Sequence, residues 1–214
     1  MERVLFYLRI FPGTEAEYDR LHAAVPQELQ DEIRASGFRN MTGFRRGTDV
    51  WYYAEAHPDR ATVFATHGPK AAVAAWNKRF ETVIAESADA DGQPLFYEEV
   101  FHTDGGGEGP ATRGFITLVV NPERIDRYEE LHANPWPDLI EAIAASGYRD
   151  YSGFRRGNNV VYYGEYHPDL PTVVSTMGTY EVNARWGEAF QGIITTITNE
   201  DGTLITADEV YHQD

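Results

Sequence analysis

The chain has no cysteine among its 214 residues. A disulfide framework, a thiolate nucleophile and a thiolate metal site are excluded together. Lysine is almost as scarce, with only Lys70 and Lys78, so arginine carries most of the positive charge. Thirty-four acidic residues face 18 basic ones, a formal net charge of −16. Such a surface repels phosphate backbones and anionic lipid, which argues against nucleic acid and membrane partners. No apolar run reaches the roughly 18 residues that a membrane helix needs. The opening Met1-Glu2-Arg3-Val4-Leu5-Phe6-Tyr7 lacks the basic-then-apolar order of a secretion signal. A Gly-rich phosphate loop and a Gly-x-Ser-x-Gly elbow are also missing. The expectation is a cytoplasmic protein whose partner is a small molecule.

Aromatic residues, by contrast, make up 13% of the chain, with tyrosine the commonest, so the interior or a pocket should be rich in rings. Their spacing exposes an internal repeat. Gly43-Phe44-Arg45-Arg46-Gly47 recurs as Gly153-Phe154-Arg155-Arg156-Gly157, and His57-Pro58-Asp59 as His167-Pro168-Asp169. Tyr18, His22, Trp76 and His102 recur as Tyr128, His132, Trp186 and His212. The offset is always 110 residues, and about 39 of some 104 aligned positions are identical, far above chance for a gapless register. The copies span 1–104 and 113–214. The Gly-rich stretch 105–112 between them has the composition of a flexible linker.

Each copy opens on an apolar strand-like run and continues into a helical stretch with apolar residues at helical spacing. In the second copy Asn134-Pro135-Trp136-Pro137 must break or restart that helix, since two prolines cannot continue an α ladder. Two strand-like runs follow, joined at Gly157-Asn158-Asn159 by turn-forming residues. A second helix around residues 180–195 and a closing strand complete a β-α-β-β-α-β order, the ferredoxin-like unit. Trp51 and Tyr53 alternate with Val50 and Tyr52, so both faces of the sheet need cover. The predicted fold is α+β: two ferredoxin-like units packed sheet to sheet as an intramolecular dimeric α+β barrel. Because each copy satisfies the other, a monomer is the natural outcome.

Tyr18 and His22, like Tyr128 and His132, stand four apart on a predicted helix and share one face. Histidine is the side chain suited to exchange protons near neutral pH. A Tyr/His pair at this spacing also serves plain packing. Trp76 and Trp186 either fill the interior or offer a platform for a flat ligand. Six of the seven histidines form repeat pairs, and His67 stands alone. None shows metal-ligand spacing such as His-x-x-x-His, so no metal is expected.

The second copy also carries Tyr128, His132, Trp136, Pro137, Asp138 and Leu139 in the order Tyr-x-x-x-His-x-x-x-Trp-Pro-acidic-Leu. Ser146-Gly147, Tyr151, Phe154, Arg185-Trp186 and a closing Glu209-Val210-Tyr211-His212 follow. In these residues the chain resembles the L-rhamnose mutarotases, over nearly the whole of each copy. The resemblance implies a cofactor-free isomerase acting on a sugar, with His132 as acid/base and Tyr128, Tyr151 and Trp186 lining the sugar site. Trp136 belongs to the same motif, and Arg155 shares the strand face of Tyr151, placed to bond a ligand hydroxyl or neutralise Glu165. Tyr18, His22 and Trp76 are the first-copy counterparts. That copy has Met41 in place of Tyr151 and Val25-Pro26-Gln27 in place of Pro135-Trp136-Pro137, so the second copy is expected to hold the intact site. Trp186 precedes Gly187 where the family has a second tryptophan. Two other readings stay open: a cyclase or isomerase of polyketide-like metabolites in the same barrel, and a ligand-binding module without turnover.

Overall fold

The computed structural model of the chain describes every residue except Pro69. It divides into two compact units, residues 1–97 with 208–214, and residues 98–207. Among the described residues no helix is long and apolar enough to cross a membrane.

The first unit runs β1 (Glu2–Ile10), α1 (Glu15–His22), α2 (Gln27–Ser36), β2 (Phe38–Arg46), β3 (Asp49–Ala56), α3 (Arg60–His67), α4 (Ala71–Lys78) and the short β4 (Ile84–Glu86). The next strand, β5 (Leu95–Gly105), begins here. Strand β3 lies antiparallel between β1 and β2. Residues 95–97 pair with the free edge of β1, and residues 208–213 with that of β2. Period-two alternation sends Val4, Leu8, Val50, Tyr52 and Ala54 into one core with Tyr18, Leu29, Ile33, Val63 and Val73 of the helices. On the other face Leu5, Phe44, Trp51, Tyr53 and Tyr97 are buried as well, as the two-sided aromatic pattern requires.

The second unit continues with β6 (Thr112–Val120), a 3₁₀ turn (Pro122–Arg124), α5 (Ile125–Ala133), α6 (Pro137–Ser146), β7 (Tyr148–Arg156), β8 (Asn159–Tyr166), α7 (Leu170–Met177), α8 (Glu181–Ala189), β9 (Ile194–Thr196) and β10 (Thr206–Gln213). Its sheet places β8 between β6 and β7, with residues 98–105 on β7 and residues 206–207 on β6.

Both units are therefore α+β and ferredoxin-like. The predicted first helix is two helices in each unit, parted at Ala23–Pro26 and Asn134–Trp136, where proline removes a backbone donor. The His-Pro-Asp runs start helices that hydropathy did not single out. Asp59 and Asp169 are N-caps, accepting from Thr62 N at 2.8 Å and Thr172 N at 2.9 Å, a bond worth about 1 kcal/mol. The compact units also cut across the sequence copies. The end of the first copy pairs with β7, and the end of the second pairs with β2. Gly105 belongs to this ladder: a Cβ there would lie 2.0 Å from the Tyr148 carbonyl oxygen, so the glycine permits close strand approach. Gly106 N then donates to the same oxygen at 2.8 Å.

Candidate functional site

In the first unit α1 turns Tyr18 and His22 toward the sheet, and both are buried. Their rings stack at 4.2 Å. His22 Nδ1 lies 3.0 Å from the Tyr18 carbonyl oxygen, which can only accept, so Nδ1 carries the proton. Nε2 is then the acceptor and takes the Tyr52 hydroxyl proton across 2.5 Å. With that proton committed, the Tyr18 hydroxyl donates to Tyr52 Oη at 2.6 Å. The result is a directed chain, Tyr18 to Tyr52 to His22, that fixes the histidine tautomer. Burial pushes His22 down to about 4, against the hydrogen bond its Nδ1–H donates to the Tyr18 carbonyl, which raises it. The imidazole is thus neutral at pH 7 and available as a base. Its titration falls below the pH 5–8 range expected of an exposed histidine. Burial also raises both tyrosines.

The second unit repeats this arrangement closely. His132 Nδ1 faces the Tyr128 carbonyl at 2.9 Å, Nε2 meets the Tyr162 hydroxyl at 2.5 Å, and the Tyr128 and Tyr162 hydroxyls are 2.6 Å apart. Burial again moves the histidine down to about 4. Tyr52 and Tyr162 are the members that the sequence reading missed. They recur at the repeat offset and sit on the helix-facing side of β3 and β8, which is the signal that could have found them.

The two units differ in what surrounds the chain. The first has an open cavity of about 540 Å³ beside it. His22, Tyr52, Trp76 and Met41 line it, together with Phe6, Phe38, Phe64, Phe80 and Tyr211. Trp76 meets His22 edge-on at 5.4 Å, and Tyr211, from the pairing partner of β2, lies 6.1 Å away. A second depression of about 470 Å³ shares His22, Val25 and Tyr211 and is edged by Gln30, Glu209 and His212.

In the second unit large side chains pack against the same chain of hydroxyls. Tyr151 stacks on Tyr162 at 5.1 Å and touches Tyr148 at 4.7 Å. Trp136 meets Trp186 edge-on at 5.1 Å, and the Arg185 guanidinium lies over Trp136. Gly164 makes this packing possible: a Cβ there would come within 2.9 Å of Tyr151 Cδ2 and 3.1 Å of the Tyr166 ring. The first unit has Ala54 at that position beside Met41 and Ala56. The residues counted as losses from the first copy are those whose smaller side chains accompany its cavity.

Tyr128, Tyr151, His132, Trp136 and Trp186 do come together in one aromatic cluster, as Tyr18, His22 and Trp76 do in the first unit. Arg155 does not join them. Its guanidinium pairs with Glu129 of α5, as Arg45 pairs with Asp19 of α1 at 2.5 Å. Glu165 is paired instead with Arg149 at 2.7 Å. Arg155 therefore straps hairpin to helix. For a metal, His102, Asp104 and Asp150 bring one ligand atom each within 4.8 Å of one another. His102 is engaged by Asp104 and by Ser152, both at 2.9 Å.

The family model of L-rhamnose mutarotase matches residues 3–103 and again 113–213. The chain therefore belongs to the L-rhamnose mutarotase family. It is 27% identical over 104 residues to an L-rhamnose mutarotase of Oceanobacillus iheyensis, covering 48% of this chain and 97% of that protein. Solved structures of monooxygenase candidates from Lactobacillus acidophilus and Fusobacterium nucleatum superpose on 99% of the chain. Their TM-scores are 0.62 and 0.59, and they cover 96% and 93% of those chains. At 11% and 10% identity, that likeness is one of fold.

Proposed function

We propose that this member of the L-rhamnose mutarotase family is a cofactor-free isomerase of the mutarotase type, and that its working site is the His22 site of the first unit. The observation that carries this reading is the Tyr52–His22 hydrogen bond on the wall of an open cavity. A buried neutral base with a hydroxyl relay is suited to anomer exchange. The C1 hydroxyl of the sugar gives its proton to Tyr52 Oη as Tyr52 passes its own to His22 Nε2. As the bond from C1 to the ring oxygen breaks, the relay runs backward and protonates that oxygen. The aldehyde rotates, and closure on its other face reverses the same transfers. The Tyr18 carbonyl, already accepting from Nδ1–H, steadies the imidazolium that forms between the two steps. A positioned general acid/base contributes about 10²–10⁴-fold.

The test is anomer exchange of L-rhamnose followed by NMR on two variants. His22→Asn should lose about 10²–10⁴-fold of the catalysed rate. His132→Asn should stay within about tenfold of the parent, because Tyr151 and Trp136 already pack around its relay. The reverse ranking, or full rates in both, would overturn the assignment.

A further inference from the structure

The cavity of the first unit has a polar mouth that takes no part in the relay. Trp76 of α4 meets the His22 ring edge-on at 5.4 Å, so the relay and the end of α4 face one space. Asn77 follows Trp76 in the chain, Glu81 lies in the turn that ends α4, and Ser87 follows β4. All three line the cavity, and all three are exposed. Among the described residues their side chains make no hydrogen bond or ion pair. Other polar groups of the wall are engaged: Tyr18, Tyr52 and His22 in the relay, Tyr211 with Gln213 at 2.5 Å and His67 with Ser36 at 3.4 Å.

The repeat supplies a comparison. The matching residues of the second unit are Gly187, Gln191 and Ile197, and Ile197 packs against the apolar core of its unit. The fold is thus built without a hydrogen-bonding side chain at the positions of Asn77 and Ser87, so these groups serve something other than folding. The volume of about 540 Å³ lies within the range of about 300–1,000 Å³ that takes ligands of drug size. A single deoxyhexose is small for that space and would leave the mouth to water. Two joined sugar rings match it. Sugars also suit a wall of this mixed kind, since their C–H faces pack on aromatic rings while the hydroxyls at their edges bond polar side chains. At the mouth the Glu81 carboxylate, which has no ion-pair partner among the described residues, accepts from hydroxyls and repels a second carboxylate.

We infer that the first unit's site takes a reducing disaccharide, with the reducing ring on Tyr52 and His22 and a neutral second sugar held at the mouth by Asn77, Glu81 and Ser87. This deepens the proposed function and rests on the first unit being the working site.

The test is isothermal titration of the full chain with L-rhamnose and with the O2-, O3- and O4-linked glucosyl-L-rhamnoses. At least one disaccharide should bind about tenfold tighter than L-rhamnose, the scale of one added hydrogen bond to a charged group. The glucuronosyl analogue of that disaccharide, which differs only in a carboxylate, should show no gain. The double variant N77A/E81A changes two exposed side chains and should bring the favoured disaccharide to within about twofold of L-rhamnose. No gain at any of the three linkages, a gain shared by the glucuronosyl analogue, or a gain that survives N77A/E81A would overturn the inference. Anomer exchange of L-rhamnose followed by NMR separates the two claims. His22-dependent exchange without a disaccharide gain sinks this inference alone. A gain in binding that depends on Asn77 and Glu81, without His22-dependent exchange, sinks the catalytic reading alone.

Discussion

Burying His22 and His132 in neutral form ties stability to pH, and the size of the effect follows from their surroundings. Each has an ordinary value near 6.5, reached in the unfolded chain, and a folded value of about 4 set by burial. Between those values the unfolded state binds a proton that the folded state does not. Stability therefore rises with pH through this window and falls as pH drops from 6.5 toward 4. At 1.36 kcal/mol per pH unit, each histidine withdraws about 2 kcal/mol between pH 7 and pH 5, and about 3 kcal/mol by pH 4. A domain has only about 5–15 kcal/mol to lose. The assay is urea unfolding at pH 7, 6 and 5 for the parent, His22→Gln and His132→Gln. Glutamine keeps a polar side chain that does not titrate. Carboxylate titration is common to all three proteins and cancels in the comparison. Each variant should lose about 2 kcal/mol less than the parent between pH 7 and pH 5. Parallel curves for parent and variants would mean that the folded histidines titrate normally, and the neutral-base argument would fall with them.

Two further outcomes test the packing contrast between the units. The double variant M41Y/A54G, which copies Tyr151 and Gly164 into the first unit, should fill the cavity, raise stability by about 0.5–2 kcal/mol in thermal melts and abolish ligand-induced change in tryptophan fluorescence. Unchanged ligand response would show that Met41 does not gate the space. Gly164→Ala should cost about 1–3 kcal/mol in urea unfolding, because its Cβ would sit 2.9 Å from Tyr151 Cδ2, whereas Ala54→Gly in the first unit should cost about 0.5–1 kcal/mol. Similar losses at the two positions would refute the tight fit at Gly164.

Much of this was legible in the sequence. The gapless offset announced the duplication, and the alternation of Val50 to Tyr53 announced sheets buried on both faces. The i, i+4 spacing placed Tyr18 on His22 and Tyr128 on His132. The proline-rich Asn134–Pro137 segment marked a real helix break. What stayed hidden is non-local. Tyr52 lies 30 residues from His22 and reaches it only through the β3–α1 packing. The capping of α3 by Asp59 depends on a single side-chain bond that a hydropathy scan does not register. The pairing of residues 208–213 with β2 could not be read from an order of elements, because both terminal strands carry the same pattern. Arg155 shares a strand face with Tyr151, yet Glu129 of α5 captures its charge.

Motif completeness favours the second copy, whereas the cavity beside His22 favours the first. Matching residues one by one rewards the copy with the larger aromatic set, and Tyr151 and Trp136 made the second copy look intact. A cavity is the volume that side chains leave unfilled, which residue-by-residue matching does not measure. The Tyr–Tyr–His relay is almost superposable in the two units, with its matching bonds agreeing to 0.1 Å. Duplication therefore copied the proton chemistry into both halves. The cavity opens to solvent, so water fills it until a ligand displaces that water. Met41, Ala54 and His67 mark where the first unit parts from the second, which has Tyr151, Gly164 and Met177 at the matching positions.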